Sequence, residues 1–215
     1  MIKKITVLAS AILTSAFILA ACTATELEDR CFPMMAAVDY KDGHVDFAYG
    51  FPEISQKENT DTQAANVSVS MSAGGNFAES IKYYNQELSK LADCNHMKVL
   101  VFGTSFTEET DQYESMLSYL RKSELFPRNT YVCVTDDIQA LFDAEGTLPD
   151  DLGSYLESFL QKQETDQQTR LVNLGKLLDE QVNQMEEIRI PFITVENGTI
   201  VLRQEAYGAG EDSGN

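Results

Sequence analysis

The 215 residues carry 16 basic and 34 acidic side chains, a formal charge of −18, with 43% hydrophobic residues and no tryptophan. A body this acidic is repelled by phosphate backbones and by anionic headgroups, which sets nucleic-acid binding aside. The acids are dispersed along the chain and read as a solvated surface.

Lys3 and Lys4 make a short cationic start, and Ile5 to Ala21 is then uninterrupted apolar or small, with neither charge nor Pro. The run is short for a membrane span, which takes about 20 residues. It ends in Leu19-Ala20-Ala21-Cys22, a small-residue cleavage site running directly into a cysteine. The pattern resembles a bacterial lipobox. Residues 1–21 are therefore expected to be a signal peptide, and Cys22 the lipidation site, carrying S-diacylglycerol and an N-acyl chain of the palmitate kind. Residues 22–30 become a tether. Two acyl chains, at about 0.8 kcal/mol per buried methylene, hold a protein stably on the outer face of the cell membrane. An ordinary signal peptide or an N-terminal membrane helix is the plainer alternative; the cysteine sits where lipidation requires it. Without Lys3 and Lys4 the mature chain carries about −20, and its roughly 190 residues suffice for one domain with a real core.

From there the elements follow in order. Met34 to Tyr40 and Val45 to Phe51 flank Lys41-Asp42-Gly43-His44, a hairpin with an Asp-Gly turn. Ser55 to Ala65 is polar and reads as a surface loop. Val67 to Met71 alternates with period two, as a half-buried strand does. Gly74-Gly75 breaks the chain before Asn76, which with Glu79 resembles a capping box. Phe77, Ile81, Tyr84, Leu88 and Leu91 then predict one apolar helical stripe over four turns. Met97 to Phe102 is a strand ending at Gly103. Thr107 is expected to cap a helix with the stripe Tyr113, Met116, Leu117 and Leu120, its acids Glu108, Glu109 and Asp111 favouring the positive end. Tyr131 to Val134 is a strand, and Thr135-Asp136-Asp137 opens a helix with Ile138, Leu141 and Phe142. Pro149-Asp150 starts another helix (Leu152, Tyr155, Leu156, Phe159, Leu160), and a longer one carries Leu171, Leu174, Leu178, Val182 and Met185. Pro191 to Val195 and Thr199 to Arg203 close a hairpin around Asn197-Gly198. The fold class is α/β: a mixed sheet with a central strand–helix alternation, flanking β-hairpins, and helices on the sheet faces. Alternation implies parallel strands with right-handed crossovers. The expected organisation is one domain over residues 31–205, followed by a disordered acidic tail at 206–215.

Residues that could carry chemistry are few. His44 falls in the hairpin turn and His96 just before a buried strand, and the two form no metal-binding spacing. Cys31, Cys94 and Cys133 lie in no CxxC or other ligand spacing; an odd number outside the membrane allows one pair and a leftover. Buried thiols are the default expectation. Gly74-Gly75-Asn76 is a weak anion-loop signal that a simple turn explains. No GxSxG elbow marks a serine, and Asp136-Asp137 and Asp150-Asp151 sit at helix starts, where the dipole accounts for them. No catalytic residue, cofactor or metal is expected.

Three segments carry a resemblance to one family. Glu26-Leu27-Glu28-Asp29 runs into a strand ending Ala36-Ala37-Val38-Asp39. Phe77 to Lys90 (FAESIKYYNQELSK) leads to His96-Met97-Lys98-Val99-Leu100-Val101-Phe102-Gly103. Tyr113 to Phe126 (YESMLSYLRKSELF) leads to Pro127-Arg128-Asn129-Thr130-Tyr131-Val132-Cys133-Val134. In order and spacing these resemble the N-terminal domain of the Ger(x)C lipoproteins, the C subunits of spore germinant receptors, over about residues 26–145. Residues 146–205 read as a helical extension and closing hairpin. The chain departs from the family in lacking the Trp-Asp-Arg that follows the lipidated cysteine, and it spans the first of the family's usual three domains. The resemblance implies a non-enzymatic accessory subunit, lipid-anchored at the spore inner membrane and assembled with integral-membrane subunits of a nutrient-germinant receptor. A small ligand-binding lipoprotein of a transport system is the alternative, and a surface enzyme of flavodoxin-like or hydrolase type a more distant third.

Overall fold

The computed structural model describes residues 30–52, 67–72, 74–87, 91–166, 168–183, 189–203 and 207–208. Its frame starts at the first hairpin. Asp42 (φ 52°) and Gly43 (φ 81°) both take left-handed angles, the geometry whose twist matches the flanking strands. They join β1 (Met35–Lys41) to β2 (His44–Gly50) in antiparallel register, Val38 facing Phe47 and Asp39 facing Asp46. β3 (Val67–Ser72) adds to the far side of β2, also antiparallel.

α1 (Phe77–Glu87) then carries the chain back over the hairpin. It is shorter than its stripe implies. Leu91 lies in a two-residue strand and is 47% exposed, and Leu88 falls outside the described residues. The chain leaves the helix because Asn85 Oδ1 accepts the Ala92 N–H (2.9 Å), turning it toward Cys31, whose carbonyl accepts from Asp93 N–H (2.9 Å). β4 (Val99–Gly103) does not pair with β3, the previous strand of the same sheet. It docks parallel to β1, Met35 facing Val99, on the other side of the hairpin. The crossover therefore spans two strands.

A second boundary also differs from expectation. Thr107 does not cap the next helix; it sits inside α2 (Thr104–Glu108), its hydroxyl donating to the Thr104 carbonyl (2.8 Å). α3 (Thr110–Lys122) starts afresh after Glu109, whose φ −82°, ψ 78° break the path. The expected stripe holds, with Tyr113, Met116, Leu117 and Leu120 all buried. β5 (Tyr131–Thr135) follows, parallel to β4. α4 (Ile138–Ala144) is capped by Asp137, which accepts the Ala140 N–H (2.9 Å), and α5 (Leu152–Thr165) by Asp151, which accepts the Ser154 N–H (2.9 Å). α6 (Leu174–Asn183) begins after Leu171 and is capped by Asn173, which accepts the Lys176 N–H (2.8 Å). Met185 lies outside the described residues. β6 (Phe192–Glu196) pairs parallel to β5, and Asn197 (φ 51°) and Gly198 (φ 76°) turn it into the antiparallel β7 (Thr199–Leu202).

The seven-stranded sheet thus runs β7-β6-β5-β4-β1-β2-β3, mixed, with a parallel centre. Side chains alternate between two cores. On one face Val38, Phe47, Leu100, Phe102 and Val134 pack with α1, α3 and α6; on the other Met35, Ala37, Val101, Cys133 and Ile193 pack with α4 and α5. β4 buries Val99 to Phe102 completely, as a strand covered on both faces must, each such side chain contributing about 1.5–3 kcal/mol. Cys31–Asn215 makes one compact unit. The stretch Ser55–Ala65 falls outside the described residues, as do residues 1–29 with Cys22 and the expected tail at 206–215 except Tyr207–Gly208, which form a short strand paired antiparallel with Arg189–Ile190.

Candidate functional site

In sheets of this kind ligands favour the crevice beyond the carboxyl ends of the parallel strands. β1 delivers Asp39 there, β4 delivers Gly103-Thr104-Ser105, β5 delivers Thr135-Asp136-Asp137, and β6 delivers Thr194. The Asp39 carboxylate lies across Gly103: a Cβ on that glycine would stand 2.2 Å from Asp39 Oδ1. Oδ1 also accepts from the Ser105 hydroxyl and from Tyr40 N–H (2.9 Å). Asp136 accepts from Thr194 Oγ1 and from the Arg203 guanidinium, both at 2.8 Å, and that guanidinium stacks 4.8 Å above the Phe192 ring. Asp137 is spent on capping α4. The edge carboxylates are therefore ties between strand, loop and helix. Asp46 differs: its Oδ1 is buried with no hydrogen-bond partner among the described residues, facing Asp39 on one side and Ser70 on the other.

The two histidines do not meet. His44 is exposed in the β1–β2 turn, its Nδ1 3.0 Å from the Asp42 carbonyl oxygen. His96 is exposed just before β4, its ring edge-on to Phe32 at 5.3 Å. Since β1 and β4 are parallel, a residue after one and a residue before the other fall at opposite ends of the sheet. Among the described residues no three His, Cys, Asp or Glu side chains cluster as a metal site would need.

Gly74, at φ 92°, makes a turn whose N–H donates to Gln112 Oε1 (2.8 Å), and Asn76 Oδ1 takes the first amides of α1 from Ala78 (3.1 Å) and Glu79 (3.2 Å). Few amides remain there for an anion. The same holds at α6, beside an open depression of about 510 Å³ lined by Arg128, Asn129, Asn173, Gly175, Lys176 and Asp179. Leu174 N–H donates to the Thr130 carbonyl, Gly175 N–H to that of Arg128, and Lys176 N–H to Asn173 Oδ1.

Cys31, Cys94 and Cys133 are buried and in no disulfide. Burial pushes the Cys94 thiol up to about 12, with Asp93 and then Cys31 adding to the effect, and burial alone raises Cys133. Neither is poised as a nucleophile, which needs a lowered pKa. Burial likewise raises the Tyr49 and Tyr84 phenols. Tyr49 is tied to Ser80, whose hydroxyl donates to the Phe77 carbonyl (2.9 Å), fastening β2 to α1. Sequence reasoning overlooked the Tyr49–Ser80 and Asp39–Ser105 ties. The available signal was a carboxylate ending an apolar strand beside a Gly-Thr-Ser step.

Among the described residues no helix is long and apolar enough to cross a membrane. Compared with known proteins, residues 23–195 match the family model of the spore germination protein N-terminal domain. No curated protein and no solved structure matches the chain.

Proposed function

Because the chain belongs to the spore germination protein N-terminal domain family, and so to germination rather than to any known enzyme class, we propose that it is a non-enzymatic accessory subunit of a nutrient-germinant receptor. It is anchored through lipidated Cys22 on the extracytoplasmic face of the membrane and assembles there with integral-membrane subunits. The observation that carries this reading is the extent of the match, which begins at Thr23, directly after Cys22, and ends at Val195 in the first strand of the closing hairpin. The carboxylates at the sheet edge support it by being engaged in structural ties. An anchored body meets membrane partners at a raised effective concentration, so modest contact surfaces suffice for assembly.

The transport-lipoprotein alternative gains nothing specific: ligand sites enclose most of the ligand's surface, and the depression beside Arg128 is open. The test is Cys22→Ala in the native host. The variant should leave the membrane fraction, fail to co-purify with the integral subunits, and slow nutrient-triggered germination while leaving nutrient-independent germination alone. Full membrane retention and normal germination in that variant would refute the proposal.

A further inference from the structure

The three cysteines among the described residues allow three pairings, and the fold leaves one. Cys133 lies on the β5 face that packs against α4 and α5, whereas Cys31 and Cys94 both belong to the opposite core, with the sheet between. Those two are also brought together locally. The Cys31 carbonyl accepts the Asp93 N–H at 2.9 Å, so Cys94 follows the residue that is hydrogen-bonded to Cys31. Successive Cα atoms are about 3.8 Å apart, and bridged cysteines need Cα separations of about 4.4–6.8 Å. Both side chains point inward, Cys31 8% and Cys94 3% exposed. Cys31 Sγ also lies 3.8 Å from the Tyr84 hydroxyl on α1.

We propose that Cys31 and Cys94 are an oxidisable pair that closes as a disulfide on meeting a disulfide oxidant, while Cys133 stays a thiol. The thiolate of one attacks the oxidant RSSR and releases RSH; the second, losing its proton, displaces the other RSH. Two thiols and RSSR thus become one protein disulfide and two RSH, the two electrons passing to the oxidant. The proposal rests on the placement argued above only for where such an oxidant is met. That Cys31 contributes to raising the Cys94 pKa supports their nearness. The burial of both thiols makes exchange in the folded protein slow. The bridge would close a loop of about 60 residues that contains the hairpin, β3 and α1.

The experiment takes the full-length protein in detergent through glutathione buffers from reduced to oxidised, traps thiols with N-ethylmaleimide under denaturing conditions, and maps each cysteine by peptide mass. The expected result is a joint fall of at least tenfold in labelling of Cys31 and Cys94, a linked peptide two hydrogens lighter, and constant labelling of Cys133. Cys133→Ala should leave that pattern unchanged. Persistent labelling of both, separate glutathione adducts, or a bridge to Cys133 would overturn the proposal. The same trap applied to intact cells reports on location: a pair that closes in vitro but is reduced in cells upholds the pairing and counts against the extracytoplasmic reading.

Discussion

Replacing Gly153 by Ala should destabilise the protein, although helix propensity alone favours the change by up to about 1 kcal/mol. Gly153 is the second residue of α5, and a Cβ there would stand 2.6 Å from the Met34 carbonyl carbon and 2.7 Å from its Cβ and carbonyl oxygen. Met34 cannot yield. Its N–H donates to the Gly50 carbonyl (2.9 Å), and its own carbonyl accepts from Lys98 N–H (2.8 Å) and Val99 N–H (3.3 Å), which locks it between β1, β2 and β4. The helix must therefore move, lifting Leu152, Leu156 and Leu160, all fully buried, off the sheet. Overpacking of this kind costs about 1–3 kcal/mol, so even after the full propensity gain a net loss of up to about 2 kcal/mol is expected. With a urea dependence of about 2 kcal/mol per molar, the midpoint should fall by up to about 1 M. Gly146→Ala is the control: Gly146 is exposed and an added Cβ meets nothing within 4 Å. Urea titrations of both variants decide the matter. A Gly153→Ala midpoint at or above that of Gly146→Ala would refute the reasoning.

Gly103→Ala should expel the Asp39 carboxylate and destabilise by about 1–3 kcal/mol. Because Asp39→Ala removes the obstructing atoms, the double variant should cost at least about 0.5 kcal/mol less than the sum, as a urea double-mutant cycle would show. Cys133→Ser puts a hydroxyl where a fully buried thiol packs among apolar side chains and should cost about 1–3 kcal/mol by the same measurement. The Cys94 thiol ionises near 9 when unfolded and near 12 when folded, so its protonated form is favoured by folding. Stability should be complete below about pH 9 and decline as pH climbs toward 12, with the raised Tyr49 and Tyr84 adding to the decline. Thermal unfolding of the reduced protein against pH checks this, and Cys94→Ala should flatten part of the slope.

Local chemistry carried the legible part of the fold. Asp42-Gly43 and Asn197-Gly198 marked both hairpins because few other residues tolerate left-handed angles, and the α3 stripe is buried, as are Leu152, Leu156 and Leu160 of the α5 stripe, with Tyr155 and Phe159 partly so. What depended on distant partners was not legible. Phe77, Ile81 and Tyr84 keep helical spacing with Leu91, yet Asn85 turns the chain to meet Cys31, and no local signal announces that. Nor does the alternation say that β4 seats itself against β1 rather than β3, since every strand involved presents an apolar face. Asp137 and Asp151 sit where a helix start explains them, each accepting a first-turn amide. Asp136 shares that helix start in sequence, yet it is held by Thr194 and Arg203, and Asp39 by Ser105, partners about 60 or more residues away that no local pattern announces.

The seam between β1 and β4 also sets a timetable. The hairpin of β1 and β2 closes locally in about 1–10 μs, but its parallel neighbour begins some 60 residues later. The open edge of β1 is therefore without its mate from the emergence of Gly50 until that of Val99. An unpaired edge flanked by Ala36 and Val38 is a template for wrong strands. Nascent chains stalled between Gly50 and Val99 should therefore be the aggregation-prone ones.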